Sequence, residues 1–144
     1  MPQIALNITN RQRRQRAHLK MWRGIAERAL PACLAACKMD DAPLRHLHEI
    51  DIVFVSDRTI ARVHGEFLQD PTPTDVITFH HGEIIISLDT AQRQCLHHGL
   101  SYEHESALYI VHGLLHLAGW DDHDAAEAEA MHALQNRILA NVIA

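Results

Sequence analysis

The feature that most constrains this chain is a largely apolar segment that carries two histidines, His112 and His116, four positions apart. Residues four apart on an α-helix lie one turn apart on nearly the same side, so both imidazoles can reach one ion. Gly119 can take the left-handed conformation that ends a helix. The segment therefore predicts a buried helix over residues 102–118 whose histidine side lines a cleft.

Two candidate third ligands, Asp122 and His123, follow the helix-ending glycine directly. A carboxylate oxygen and an imidazole nitrogen both bind zinc, so the spacing alone leaves the choice between them open. Three protein ligands with an open position for water are typical of catalytic zinc, whereas structural zinc normally has four. We predict one Zn²⁺ ion held by His112, His116 and either Asp122 or His123; the alternative is two core histidines bonded to backbone.

The residue after the first histidine argues against one class of zinc enzyme, the His-Glu-x-x-His metalloproteases. In His-Glu-x-x-His metalloproteases this position holds the glutamate that acts as general base. Here it is Gly113. Peptidase chemistry therefore lacks its expected base, although the ligand spacing is kept, and the sequence identifies no catalytic base.

Strand and helix patterns in the rest of the chain predict a small α+β layer. Apolar patterns predict strands at residues 3–8, 48–56, 76–79 and 83–87, with a tight turn at residues 80–82. Helices are expected at residues 17–37, 58–67 and 90–98, with a last one running from a cap at Asp124 to about residue 141. No repeat or linker interrupts the chain, so we expect one domain over residues 1–144.

Composition is ordinary for a soluble globular protein, with 47% hydrophobic and 22% charged residues. No apolar run approaches the ~18 residues of a membrane span, so no membrane partner is expected. The first residues lack the pattern of a secretory signal, and three cysteines, an odd number, fit a reducing cytoplasm. We therefore expect a cytoplasmic protein.

Charge is distributed unevenly along the chain. Residues 1–26 carry six basic residues and no acid, whereas the remainder carries seven basic residues and all 18 acids. A cationic segment, Arg11 to Arg23, on an otherwise acidic chain is suited to a local polyanion contact such as RNA phosphates. A solvated helix start is the other interpretation.

Three blocks of the sequence together resemble one family. The run from His112 to His123 resembles the signature of the YbeY family of rRNA-maturation endoribonucleases, usually His-Gly-x-Leu-His-Leu-x-Gly-Tyr-Asp-His. Residues 73–79, Pro-Thr-Asp-Val-Ile-Thr-Phe, are similar to its Pro-Thr-Asp-Val-Leu-Ser-Phe, and residues 83–90 to the strand and helix start that follow. The blocks come in the family's order and span about residues 48–135.

The resemblance implies a single α+β domain with a mixed sheet of about four strands, packed with helices, and a zincin-like metal helix. It implies a zinc-dependent, single-strand-specific endoribonuclease that acts in 16S rRNA 3′-end maturation and ribosome assembly. The implied partners are rRNA and the small ribosomal subunit in the cytoplasm, with no DNA expected. Thr74 and Asp75 become candidates to orient substrate or a ligand histidine, although a simple turn capped by Asp75 is an equal alternative.

Several positions depart from the family pattern. The register of the usual third histidine falls on Asp122, with His123 one residue later, which favours Asp122 as the ligand. Leu68 stands where the family often has an arginine suited to phosphate, Glu83 replaces an aspartate, and Trp120 replaces a tyrosine. Two other functions stay open: a zinc metallopeptidase-like hydrolase, and a non-catalytic ribosome-assembly factor with a structural metal.

Overall fold

Four apolar segments pair into one sheet. The computed structural model describes residues 3–143, in which strands β1 (Ala5–Asn10), β2 (Glu49–Val55), β3 (Val76–Phe79) and β4 (Glu83–Ser87) take the order β1-β2-β4-β3. Strands β1, β2 and β4 are parallel, and β3 runs antiparallel to β4. The predicted α+β fold with a mixed sheet of about four strands is confirmed.

Within residues 3–143, five α-helices begin mostly at polar side chains that cap them. They are α1 (Leu19–Ala35), α2 (Asp57–Leu68), α3 (Leu88–Gln94), α4 (Tyr102–Leu117) and α5 (Ala125–Val142). The side chains of Ser56, Ser87, Ser101 and Asp124 each accept a backbone N–H three residues later, which satisfies one free donor per helix. The predicted cap at Asp124 is therefore confirmed. None of the described helices is both long enough and apolar enough to cross a membrane.

Some predicted boundaries were wrong. The third helix was expected at residues 90–98, but Ser87 caps it earlier, with Oγ 3.2 Å from the Thr90 nitrogen. It ends at Gln94, and a turn through Gly99 (φ +68°) leads to α4. Strand β1 lies two residues later than predicted because its register with β2 runs from the Ala5–Glu49 pair to the Asn10–Phe54 pair.

The sheet separates a large core from a small one. Side chains of Ile50, Ile52, Phe54, Ile84 and Ile86 point to one face, which α1 and α4 cover, and α5 packs against these two helices. Val55, Ile77 and Ile85 point to the other face, beneath Ile60 of α2. Alternate residues of a strand face opposite sides, so each strand contributes to both cores.

Helix α4 lies close to the sheet because Gly113 faces β4. A Cβ added at Gly113 would lie 2.7 Å from Cγ2 and 3.0 Å from Cδ1 of Ile84, and Ile84 is fully buried. There is no room for a side chain at this position. Close packing against Ile84 therefore explains why this position holds glycine and not the glutamate of the metalloproteases.

Replacing Gly113 by alanine should destabilise the fold through overpacking. Gly24→Ala in α1 is the matched control, because its Cβ meets only the flexible side chain of Arg28. Both changes gain helix propensity, so the difference between them reports the overpacking. We expect the free energy of unfolding of Gly113→Ala to be about 1–3 kcal/mol lower than that of Gly24→Ala. Urea denaturation measures both; equal stabilities would contradict the close packing.

Candidate metal centre

The end of α4 turns the chain back toward its own histidines. Gly119 has φ +95°, its N–H donates to the His116 carbonyl at 3.0 Å, and the Trp120 N–H donates to the Leu115 carbonyl at 3.0 Å. These two bonds form a Schellman motif, which requires the left-handed conformation that glycine supplies. The residues that follow Gly119 are thereby directed back toward the side of α4 that carries His112 and His116.

Trp120 is anchored and in turn holds His116. Its indole Nε1 donates to the Ala36 carbonyl just beyond α1 at 2.9 Å, and Lys38 Nζ lies 4.7 Å from the ring centre. Its own carbonyl lies 3.0 Å from Nδ1 of His116. Because a carbonyl only accepts, Nδ1 of His116 must carry the proton, and Nε2 presents a lone pair.

His112 is oriented in the same way by a residue of α5. Its Nδ1 lies 2.8 Å from Oε1 of Gln135, a side chain that is only 6% exposed. An amide oxygen also only accepts, so Nε2 of His112 presents a lone pair too. Hydrogen bonds of this kind at the distal ring nitrogen fix the orientation and basicity of metal-binding histidines.

The two lone pairs face each other. Nε2 of His112 and Nε2 of His116 are 3.0 Å apart, with the rings nearly perpendicular. Burial lowers the pKa of His116, and the nearby His112 lowers it further. Two acceptor nitrogens in contact repel unless a cation lies between them. Zinc–nitrogen bonds of 2.0–2.1 Å with tetrahedral angles require nitrogens about 3.3–3.4 Å apart, close to the spacing here.

Asp122 completes the cluster and His123 does not. Oδ2 of Asp122 lies 3.6 Å from Nε2 of His112, and Oδ1 lies 3.9 Å from Nε2 of His116. One donor atom from each of the three residues lies within 4.8 Å of the others, a group that could hold a metal ion. His123, by contrast, has a side chain that is 85% exposed and lies 3.2 Å from Asp121.

The Thr74–Asp75 segment makes local contacts in the structure. Oδ1 of Asp75 accepts the Val76 N–H at 2.7 Å, and the Asp75 carbonyl accepts the Ser87 N–H at 2.9 Å. The Thr74 carbonyl accepts the Thr90 hydroxyl at 3.3 Å. These bonds tie the entry of β3 to the end of β4, which agrees with the turn interpretation rather than with orientation of a ligand histidine.

From the sequence, Glu105 is expected to be a solvated or capping acid, because it lies near the start of α4 and seven residues before His112; this expectation is wrong. Glu105 is fully buried, and its Oε2 lies 2.7 Å from both His98 Nδ1 and the Tyr109 hydroxyl. Burial raises the pKa of Tyr109, which therefore stays protonated and donates to the carboxylate. The loop before α4 brings His98 over the glutamate, a contact between residues seven apart that helical periodicity does not predict.

Sequence reasoning also missed Gln135. A signal existed, because Gln135 follows the pattern of the buried face of α5 with Met131, Ile138 and Val142 yet is polar. A polar residue at a core position needs a partner, since an unpaired buried amide costs about 1–3 kcal/mol. The partner here is His112.

Removing the Gln135 acceptor should weaken metal binding. Gln135→Met keeps the buried volume but leaves Nδ1 of His112 without its acceptor, and we expect roughly 10- to 100-fold lower zinc affinity. Gln135→Glu retains an acceptor oxygen and should bind zinc at least as well as the unaltered protein. Competition with a chromophoric chelator measures the affinities; equal values for both variants would contradict the orienting role.

Comparisons with known proteins agree with this architecture. The family model described as Endoribonuclease YbeY matches residues 7–143. Endoribonuclease YbeY of Synechococcus sp. (strain RCC307) is 33% identical over 141 residues, which cover 88% of this chain and 82% of that protein. Endoribonuclease YbeY of Geobacter metallireducens (strain ATCC 53774 / DSM 7210 / GS-15) is 34% identical and covers 92% of both chains.

A solved structure shows the same fold. The solution structure of TM1509 from Thermotoga maritima superposes with a TM-score of 0.63 at 22% identity, covering 95% of this chain and 88% of that one. The fold, the match of the family model along nearly the whole chain and the relatives above 30% identity together show that the chain belongs to the YbeY endoribonuclease family.

Proposed function

We propose that this protein is a zinc-dependent, single-strand-specific endoribonuclease that acts in 3′-end maturation of 16S rRNA and in ribosome assembly in the cytoplasm. The observation that carries the proposal is the convergence of donor atoms from His112, His116 and Asp122 in a member of an endoribonuclease family. One domain, residues 1–144, would hold one ion.

The chain's own residues would prepare the site for the reaction. Trp120 and Gln135 keep the protons of both imidazoles on Nδ1, so that Nε2 of His116 and of His112 stay available as ligands. Asp122 adds a negative charge that partly neutralises a bound cation. Held by His112, His116 and Asp122, a zinc ion would supply Lewis-acid chemistry for phosphodiester cleavage.

The cationic segment supports RNA as the substrate. Arg11, Arg13, Arg14, Arg16, Lys20 and Arg23 are all exposed. The segment lies beside the start of α4, where Trp22 Nε1 donates to the Glu103 carbonyl at 3.1 Å. His116 lies 13 residues further along the helix, roughly 20 Å away. A single strand bound at both places would extend along the molecule.

Peptide hydrolysis is the weaker alternative. A glutamate at position 113, which a His-Glu-x-x-His enzyme needs, would collide with Ile84 in the closed packing of α4 on β4. A ribosome-assembly factor with a structural metal and no catalytic activity would use the same ligands. It differs from the proposed enzyme in that it would not cleave RNA.

Asp122, and not His123, should be required for metal binding. Asp122→Ala removes one of three donors and should lower the zinc content of the purified protein well below one ion per chain, whereas His123→Ala should retain it. Elemental analysis measures the content and also reports whether iron, cobalt or manganese replaces zinc. Loss of metal in His123→Ala alone would contradict the assignment, and no stoichiometric metal in the unaltered protein would contradict the centre itself.

Metal-dependent cleavage of single-stranded RNA should depend on His116. The zinc-loaded protein should cut a labelled RNA carrying the 3′ end of 16S rRNA, a chelator should stop it, and zinc should restore it. We expect His116→Ala to reduce cleavage to background and His123→Ala to match the unaltered protein, with products resolved by gel electrophoresis.

Two control substrates test the selectivity of cleavage. The same RNA annealed into a duplex should remain intact, and casein should not be cut. A protein that binds one zinc ion and cuts neither RNA nor casein would support the assembly-factor alternative. Casein cleavage without RNA cleavage would overturn the endoribonuclease proposal.

A further inference from the structure

An exposed aromatic cluster lies at the end of strand β3. Phe67 and Phe79 have ring centres 5.4 Å apart in a T-shaped arrangement, and Phe79 stacks on His81 at 5.5 Å with an interplanar angle of 12°. Phe67 is 64% exposed, and the His81 side chain is 69% exposed. We call these three residues the aromatic platform.

Core packing accounts for Phe79 of the platform but not for Phe67 or His81. The chain has three phenylalanines, and Phe54 alone is fully buried, against Trp22. Phe79 packs, partly buried, against the small core of Ile60, Ile77 and Ile85, whereas Phe67 projects beyond it. The adjacent Leu68 is 55% exposed and enlarges the apolar surface. Exposed aromatic and apolar side chains grouped in this way are typical of an interaction site.

The platform lies at the end of β3, and the helix that carries His112 and His116 packs on the other face of β3 and β4. In β3, Phe79 pairs with Glu83 and faces α2, whereas its neighbour Thr78 pairs with Ile84 and faces α4. Ile84 is the residue that Gly113 contacts, directly beside His112. Gly113, the residue next to His112, is therefore connected to Phe79 through Ile84 of β4 and Thr78 of β3. Because β3 is an edge strand, a flexible chain can pass around it from one face to the other.

We propose that the aromatic platform stacks the nucleobases of the single-stranded RNA that the metal centre cleaves; this inference rests on the proposed endoribonuclease function. Exposed aromatic faces bind successive bases by stacking, a contact that tolerates any base and requires unpaired ones. Leu68 adds no charge, and His81 lies 3.4 Å from Glu83. The surface is therefore suited to base rings rather than to phosphates. The platform would select single strands, because bases in a duplex are already stacked.

Fluorescence anisotropy with a short single-stranded oligoadenylate tests the proposal, using an abasic strand of equal length as the second probe. Phe67→Leu keeps an apolar side chain but removes the ring, and it should weaken oligoadenylate binding roughly 5- to 150-fold while leaving abasic-strand binding unchanged. Phe67→Trp should restore affinity. Leu96→Ala alters an unrelated residue that is 84% exposed and should have no effect. Chelator-treated protein keeps the RNA intact during the titration.

The outcomes separate this inference from the proposed function. If the zinc-loaded protein cuts RNA but Phe67→Leu binds oligoadenylate with unchanged affinity, the platform proposal fails and the endoribonuclease proposal stands. If the zinc-loaded protein neither binds nor cuts single-stranded RNA, the proposed function fails, and this inference fails with it. Self-association in analytical ultracentrifugation that Phe67→Leu abolishes, with RNA affinity unaffected, would assign the surface to a second copy of the chain and overturn the proposal.

Discussion

Close packing of α4 against β4 determines where the candidate metal centre lies. Gly113 brings the helix against Ile84, and the Schellman motif at Gly119 then turns the chain back along the helix. Without the first contact His112 would lie further from the sheet, and without the second Asp122 would not reach the two imidazoles. The two glycines act differently: Gly113 is needed for space, and Gly119 for its positive φ.

The two imidazoles of the centre are oriented by groups that come from other helices or are held by them. Gln135 comes from the middle of α5, and the Trp120 carbonyl is held because the indole is tied to the end of α1. Each accepts a proton from Nδ1, which leaves Nε2 free on both rings. Helices α1, α4 and α5 therefore have to pack together before both imidazoles are oriented to bind a metal. Metal affinity and correct packing of the large core are thus coupled.

Much of the fold could be predicted because its patterns are local. The two histidines lie four apart on a helix that a glycine ends, and Asp124 caps the next helix as predicted. The ends of α3 and the position of β1 were wrong, since a serine cap and strand register decided them. Glu105 was misjudged for a similar reason: its partner His98 comes from the preceding loop, and nothing in helical periodicity indicates that contact.

The sequence by itself determined the donor types and their spacing, because a four-residue step on a helix brings two imidazoles together whatever surrounds them. It left Asp122 and His123 as equal candidates in chemistry, and only the family register favoured one. The tertiary structure decided which of them lies beside the imidazoles, since the direction of the chain after Gly119 depends on how Trp120 packs against α1. It alone placed Phe67 against Phe79, because the packing of α2 on the sheet joins residues that no local pattern connects.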